Sequence, residues 1–154
     1  MPQPMPPGVL HPEWVLALFL AFLLSVAALL AVASGWRSLA RRFPSVTQVE
    51  GERFHFASAK LSRVPWFPVN YGGCLIVTVT PSGLAMSIYL PFRYLCPEFF
   101  VPWVQVESVE DRSTALSRRT VVRIRGSTVR IALRGTAGQS VSAMFDRAKS
   151  MGGQ

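Results

Sequence analysis

The residues of this chain best equipped for chemistry are its arginines. Between Arg112 and Arg134 stand Arg112, Arg118, Arg119, Arg123, Arg125, Arg130 and Arg134, with no acidic residue among them. A guanidinium is a permanently charged fork of donors, suited to bidentate contact with carboxylate or phosphate rather than to proton transfer. The chemistry on offer is recognition of an anion: lipid headgroups, an acidic protein face or nucleic acid. Nucleic acid is disfavoured, because no helix-turn-helix pattern occurs and no aromatic is interleaved with these arginines for base stacking. A solvated basic face that aids solubility is the competing reading of the same residues.

Groups able to move protons or hold a metal are scarce: the 154 residues include two His, two Cys and 8 acidic side chains. His55 alternates with Phe54 and Phe56 on a strand-like stretch, which points it to solvent, and His11 lies in a proline-rich leader. Glu107, Glu110 and Asp111 cluster at the end of a strand, a solvated end rather than an acid/base pair. No CxxC, HExxH, GxSxG or P-loop pattern is present. The expectation is a non-enzymatic protein with no catalytic, cofactor-binding or metal-binding residues.

The elements that must position the arginines begin with an apolar run. Residues 1–12 hold Pro2, Pro4, Pro6, Pro7 and Pro12 without a single Lys or Arg, and are expected to be extended or disordered. From Trp14 to Trp36 there are 23 residues without a charge. As a helix they rise about 34 Å, enough for a hydrocarbon core of roughly 30 Å. Twelve Leu, Phe or Val side chains between residues 15 and 32 favour insertion by at most about 4 to 7 kcal/mol. A transmembrane helix is expected, with Trp14 and Trp36 as interfacial anchors. A buried soluble helix is the weaker alternative, because the remaining chain is too small to surround one. A cleaved signal peptide would use Ala31-Val32-Ala33, but the leader lacks a basic residue and the apolar run is too long.

Orientation follows from Lys/Arg asymmetry. Arg37, Arg41, Arg42, Arg53, Lys60 and Arg63 follow the span and no basic residue precedes it. The positive-inside rule places the N-terminus outside and the C-terminal part in the cytoplasm, whose reducing environment is expected to keep Cys74 and Cys96 as free thiols. Trp36, Leu39, Ala40 and Phe43 recur at helical spacing, with Arg37, Arg41 and Arg42 in the same segment, so residues 13–43 read as the span plus a basic juxtamembrane extension that Pro44 ends. That extension either draws the chain to an anionic leaflet or simply fixes topology.

Residues 45–154 form one domain of ordinary small size. Strand-like stretches are Arg53–Ser58, Cys74–Thr80, Leu84–Tyr89, Trp103–Val109, Thr120–Arg125 and Thr128–Leu133. Gly126-Ser127 suits a two-residue type II′ hairpin, setting Ile124 opposite Val129, Val122 opposite Ile131 and Arg123 opposite Arg130. Val141, Met144, Phe145 and Ala148 mark one face of a closing helix that Met151 extends and Gly152-Gly153 stops. The fold class expected is one transmembrane α-helix plus a small α+β domain, an antiparallel six- to seven-stranded sheet or partly open barrel with a C-terminal capping helix.

Between two of these strands lies Pro91–Trp103, with three prolines and five aromatics, which reads as a long ordered loop. Phe92, Tyr94, Phe99, Phe100 and Trp103 form a patch for a partner or the membrane interface, the alternative being that Phe92, Phe99 and Phe100 plug one end of the barrel. Pro65-Trp66-Phe67-Pro68 poses the same question on a smaller scale.

Strands followed by a single capping helix resemble the pleckstrin-homology-like superfold. More locally, Tyr71, Cys74-Leu75, Gly83-Leu84, Pro91-Phe92-Arg93, Pro97 and Val101-Pro102-Trp103, with Trp36-Arg37 and Leu39-Ala40 after the span, resemble a pattern in uncharacterised bacterial single-pass membrane proteins. That resemblance covers roughly residues 14 to 110 and implies a bacterial inner-membrane location, with no activity. The lipid site of eukaryotic pleckstrin-homology domains, a basic loop between the first two strands, finds only Lys60 and Arg63 nearby, so a phosphoinositide site is not expected. The functional expectation is an accessory or scaffold subunit of a larger inner-membrane complex (respiratory, photosynthetic or envelope-building), in contact with membrane lipids and other subunits. The alternative is a membrane-surface sensor that takes anionic lipid or a small ligand on Arg118, Arg119, Arg123, Arg125, Arg130 and Arg134.

Overall fold

The computed structural model describes residues 12–45, 50–112, 114 and 116–152. The expectations for the proline-rich leader through residue 11, for His11 and for Gly153 lie outside them.

Helix α1 runs from Pro12 to Ala33. Its Leu, Ala and Phe residues are good or tolerable helix formers, and Pro12 sits where its missing N–H is not needed. The single polar side chain in its middle is satisfied internally, Ser25 Oγ donating to the Ala21 carbonyl at 2.7 Å. By length and composition α1 can cross a membrane, and almost all of it is uncovered by the rest of the chain.

The helix does not continue straight into the basic segment, as the sequence led us to expect. Gly35, at φ +82°, turns the chain, and a separate helix α2 follows from Trp36 to Arg42. A Cβ on Gly35 would lie 2.5 Å from Val129 Cγ2, so both the backbone angle and the close approach require glycine. Trp36, Leu39 and Ala40 are buried against the sheet. The apolar stripe of α2 therefore faces the sheet and joins its core.

Seven strands follow: β1 Glu52–Ser62, β2 Val69–Val79, β3 Gly83–Ile88, β4 Phe99–Pro102, β5 Val106–Asp111, β6 Arg119–Ile124 and β7 Arg130–Arg134. They form one antiparallel, nearly closed sheet in the order β4-β3-β2-β1-β7-β6-β5. The long β1 pairs with both β2 and β7 and joins the two halves. Helix α3, Thr136–Met151, lies across it. Its Val141 is buried, Met144, Phe145 and Ala148 pack on the core as their spacing implies, and Met151 is exposed instead of extending that face.

Two local expectations need correction. The 91–103 segment is not one loop: it contains a 3-10 turn at Phe92–Tyr94, strand β4 and a second 3-10 turn at Trp103–Gln105. Strand β4 pairs with β3, and Phe100 N donates to the Phe43 carbonyl on its other side at 3.1 Å. The β6–β7 register matches expectation, with Val122 opposite Ile131 and Arg123 opposite Arg130. The connection is longer, however. Ser127 N bonds the Ile124 carbonyl at 3.1 Å, so the turn is centred on Arg125-Gly126 and Val129 leaves the ladder to pack against Gly35.

A third difference lies in β1. The alternation that would put Phe54 and Phe56 on one face breaks at a bulge, where Phe56 takes φ +55°. Phe54 stays against the core, while Phe56 swings out and stacks on Tyr89 at 5.2 Å between ring centroids.

Candidate functional site

The junction between the helices and the sheet is held by named polar contacts. Ser34 Oγ meets Tyr71 OH at 2.9 Å, Trp36 Nε1 donates to the Pro97 carbonyl at 2.9 Å, and Arg37 Nε donates to the Leu95 carbonyl at 3.3 Å. The Trp36 ring packs on Tyr71 and Phe99, with centroids 5.3 and 5.0 Å away. Burying an indole of this size stabilises by at most about 4 to 6 kcal/mol. Trp36 was expected at a lipid interface, and that placement is corrected: protein covers it completely. Trp14, at the other end of α1, is exposed.

Arg41 and Arg42 remain on the surface. Arg42 lies over the Phe43 ring at 5.2 Å and its Nη1 donates to the Gly126 carbonyl at 2.6 Å. Three features thus gather at one end of the sheet, here the junction end: the β1–β2 loop at 63–68, the β6–β7 turn at 125–129 and the segment 89–98. The β5–β6 hairpin and the start of α3 lie at the far end.

The expected arginine face exists only in part. Arg119, Arg123, Arg130 and Arg134 share the outer face of β6 and β7 in two cross-strand pairs, Arg119 with Arg134 and Arg123 with Arg130. Arg118 lies in the far hairpin and Arg125 in the junction-end turn. The pair Arg123/Arg130 belongs to the junction end. With Arg63, Ser62, Thr128 and Glu107 these two line a cavity of about 300 Å³. Arg123 also pairs with Glu110 at 3.5 Å, and its Nε is buried without a partner. Sequence reasoning saw an arginine run free of acidic residues. Antiparallel pairing of β5 with β6 brings Glu110 beside it, and a bulge between Val106 and Ser108 resets the alternation, which period-2 spacing from the buried Val106 does not signal.

The acidic cluster disperses among structural roles. Glu110 also binds Arg112 at 3.1 Å, while Asp111 accepts from Thr120 Oγ1 at 2.7 Å and Ser142 Oγ at 3.1 Å. His55 is exposed, as expected, with Nδ1 2.8 Å from Tyr89 OH. No group of His, Cys, Asp and Glu among the described residues could hold a metal ion.

The aromatics of 91–103 divide between the two roles that had been left open. Phe99 and Trp103 are core: Trp103 Nε1 donates to the Thr80 carbonyl at 2.9 Å and its ring meets Phe145. Phe100 is half-buried. Phe92 and Tyr94 lie outside, Tyr94 at 86% exposure. Trp66, which the sequence offered only as a minor copy, is 81% exposed on the β1–β2 loop.

Cys74 and Cys96 are free thiols that line one apolar cavity of about 170 Å³ together with Ala27 and Leu30 of α1. Burial pushes the Cys96 thiol up to about 11 and raises Cys74 as well. Both thiols are thus held neutral at physiological pH, which makes them poor nucleophiles. Burial likewise pushes the Tyr71 hydroxyl up to about 12, against the hydrogen bond from Ser34.

No family model matches the chain, and no curated protein matches it. Among solved structures it is similar to one reported for SsgB, in work on mutations that correlate with longitudinal cell division during sporulation of Streptomyces coelicolor. That likeness has a TM-score of 0.33 and 6% identity, covering 70% of this chain and 94% of the other. The superposition is too loose to assign a fold family.

Proposed function

We propose that this protein is a non-enzymatic, membrane-anchored interaction module, an accessory or scaffold subunit of a larger inner-membrane complex. The observation that carries the reading is the state of α1, an apolar helix of 22 residues that its own domain leaves largely uncovered, burying Ala31 and touching only its C-terminal turns. Such a surface needs lipid or neighbouring spans around it. Burial of Ala31 and Trp36 in the domain core favours an uncleaved anchor over a signal peptide, because cleavage after Ala33 would strip a core residue from the fold. The Lys/Arg asymmetry gives an N-terminus outside and a domain in the cytoplasm. Seven antiparallel strands and a C-terminal helix are compatible with the pleckstrin-homology-like reading. Extraction in mild detergent tests the role: a stable large particle with identifiable companions is expected, and a lone chain or its dimer would sink the subunit reading.

A second reading is favoured by the junction-end cavity. Arg63, Arg123 and Arg130 around about 300 Å³ form a socket for a phosphate or carboxylate, on the side of the domain where α1 emerges. An anionic headgroup in that socket would make the domain a membrane-surface sensor.

A further inference from the structure

We infer that the domain is seated on the bilayer rather than tethered above it, with two loops, Val64–Phe67 and Leu90–Tyr94, embedded in the interfacial layer beside the span. The inference rests on reading α1 as membrane-spanning. It starts from depth. Ala27 and Leu30 of α1 share the 170 Å³ cavity with Val69, Tyr71, Ile88 and Phe92 of the domain. Ala27 lies six residues before the end of α1, about 9 Å along its axis. If the domain stood clear of the membrane, all of α1 from Ala27 onward would have to stand clear with it. Only residues 12–26 would then remain to cross, about 22 Å of helix against roughly 30 Å of hydrocarbon. To supply the missing length of about 8 Å, the domain surface facing Ala27 and Leu30 must reach inward of the level at which α1 ends, into the interfacial layer.

That surface has the composition such a position requires. Val69 and Phe92 in the cavity wall place both loops next to α1, because the β1–β2 loop ends at Pro68 and Phe92 opens the 3-10 turn. Trp66, Leu90 and Tyr94 are strongly exposed, with Phe67 and Phe92 partly so. Trp and Tyr are the residues of the membrane–water boundary. Pro65, Pro68 and Pro91 lack an N–H that would otherwise need a partner away from water. Arg63 precedes the first loop and Arg93 lies within the second, its head 3.2 Å from Glu98; neither loop contains an acidic residue, and the stem of Arg63 suits apolar surface with its head in the anionic layer. At the far end, by contrast, the β5–β6 hairpin carries Arg112 and Arg118 and a lone exposed Leu116.

The test reads depth in the full chain, reconstituted in vesicles of mixed zwitterionic and anionic phospholipid. In a Cys74→Ala, Cys96→Ala background, spin labels are placed singly through Phe22→Cys, Trp66→Cys, Tyr94→Cys and Leu116→Cys. Collision with oxygen relative to a water-soluble nickel chelate is expected to be severalfold higher at positions 66 and 94 than at 116, and highest at 22. If 66 and 94 match 116 while 22 reads lipid, the seating is overturned and the span stands. If 22 also reads water, the span itself fails and the seating with it. Should the cysteine-free chain not fold, quenching by brominated lipid in the native chain, compared with Trp66→Phe, reads the same depth. A quenching component lost with Trp66→Phe supports the seating, and unchanged quenching overturns it.

Discussion

Ser34 Oγ and Tyr71 OH lie 2.9 Å apart although 37 positions separate them in the chain, and this contact ties the end of α1 to the second strand of the sheet. Both residues are buried: removing Ser34 Oγ takes the hydrogen-bond partner from the Tyr71 hydroxyl, whereas Ser34 Oγ also donates to the Ala31 carbonyl and accepts from Trp36 N, each at 3.3 Å. Helix and domain are therefore one mechanical body at this point, not a bead on a string.

Tyr71→Phe and Ser34→Ala are each expected to destabilise the domain by about 1 to 2 kcal/mol, with a coupling of about 0.5 to 1.5 kcal/mol in the double mutant. Trp36→Ala, which empties a core site, is expected to cost about 3 to 5 kcal/mol. Denaturant unfolding in detergent micelles, followed by near-UV circular dichroism, measures all four variants. Strictly additive losses at Ser34 and Tyr71 would remove the hydrogen bond from this account.

Gly35 presents two obstacles to a side chain, and they can be separated. The left-handed angle of +82° costs an L-residue about 1 to 2 kcal/mol, and the approach of Val129 Cγ2 adds about 1 to 3 kcal/mol of overpacking. Gly35→Ala should therefore lower stability by the sum, and Val129→Ala placed on that background should return the steric part only. If the second substitution merely adds its own loss, the close approach is not what constrains this position.

The legible parts of the fold were those with one dominant signal. A charge-free run from Trp14 gave α1, and the spacing of Val141, Met144, Phe145 and Ala148 gave the stripe of α3. Strand β4 was missed because Pro97 and Pro102 bracket it, yet as the last strand of the sheet it tolerates a proline at its end. Trp36 was misread because a tryptophan at the end of an apolar run has the same local signature in a lipid belt and in a core. Only Tyr71, Pro97 and Phe99, brought together by the fold, decide between them. The arginine site was half legible: cross-strand pairing of Arg123 with Arg130 followed from alternation, whereas Arg63 enters from another hairpin and Glu110 from β5.

Arg123 and Arg130 face each other, but only Arg123 has a carboxylate, Glu110, at 3.5 Å. Replacing Arg130 with Gln relieves like-charge repulsion and is expected to leave stability unchanged or raise it by about 0.2 to 1 kcal/mol. Arg123→Gln also surrenders an ion pair that is partly exposed and screened, and should bring no gain. Reconstitution separates this from ligand binding: if the socket holds an anionic headgroup, acidic lipid raises the melting temperature of the wild type above its value in zwitterionic bilayers. Arg130→Gln should reduce that increment, and raised salt should weaken whatever part of it comes from exposed charges. An increment equal in wild type and Arg130→Gln removes the socket from the sensor reading.

Alkaline pH should loosen the same junction, and the sign can be worked out from two buried groups. Cys96 and Tyr71 lose their protons in the unfolded chain near 9.0 and 10.0, but burial holds them protonated in the fold to about 11 and about 12. Above pH 9 the unfolded state binds fewer protons than the native one, so stability falls as pH rises. The fall starts near 9 through Cys96, steepens near 10 as Tyr71 joins, and the Cys96 part ends near 11, at up to about 1.4 kcal/mol per group for each pH interval of one. Cys96→Ala should shrink the fall between about pH 9 and about pH 10 to the part left by Cys74, whose thiol burial also raises, and Tyr71→Phe should keep the early onset while flattening the later fall. Melting temperatures from pH 8 to pH 11 decide it: a flat wild-type profile, or one unaltered in both variants, would mean that neither group is shielded from water at the helix–sheet junction.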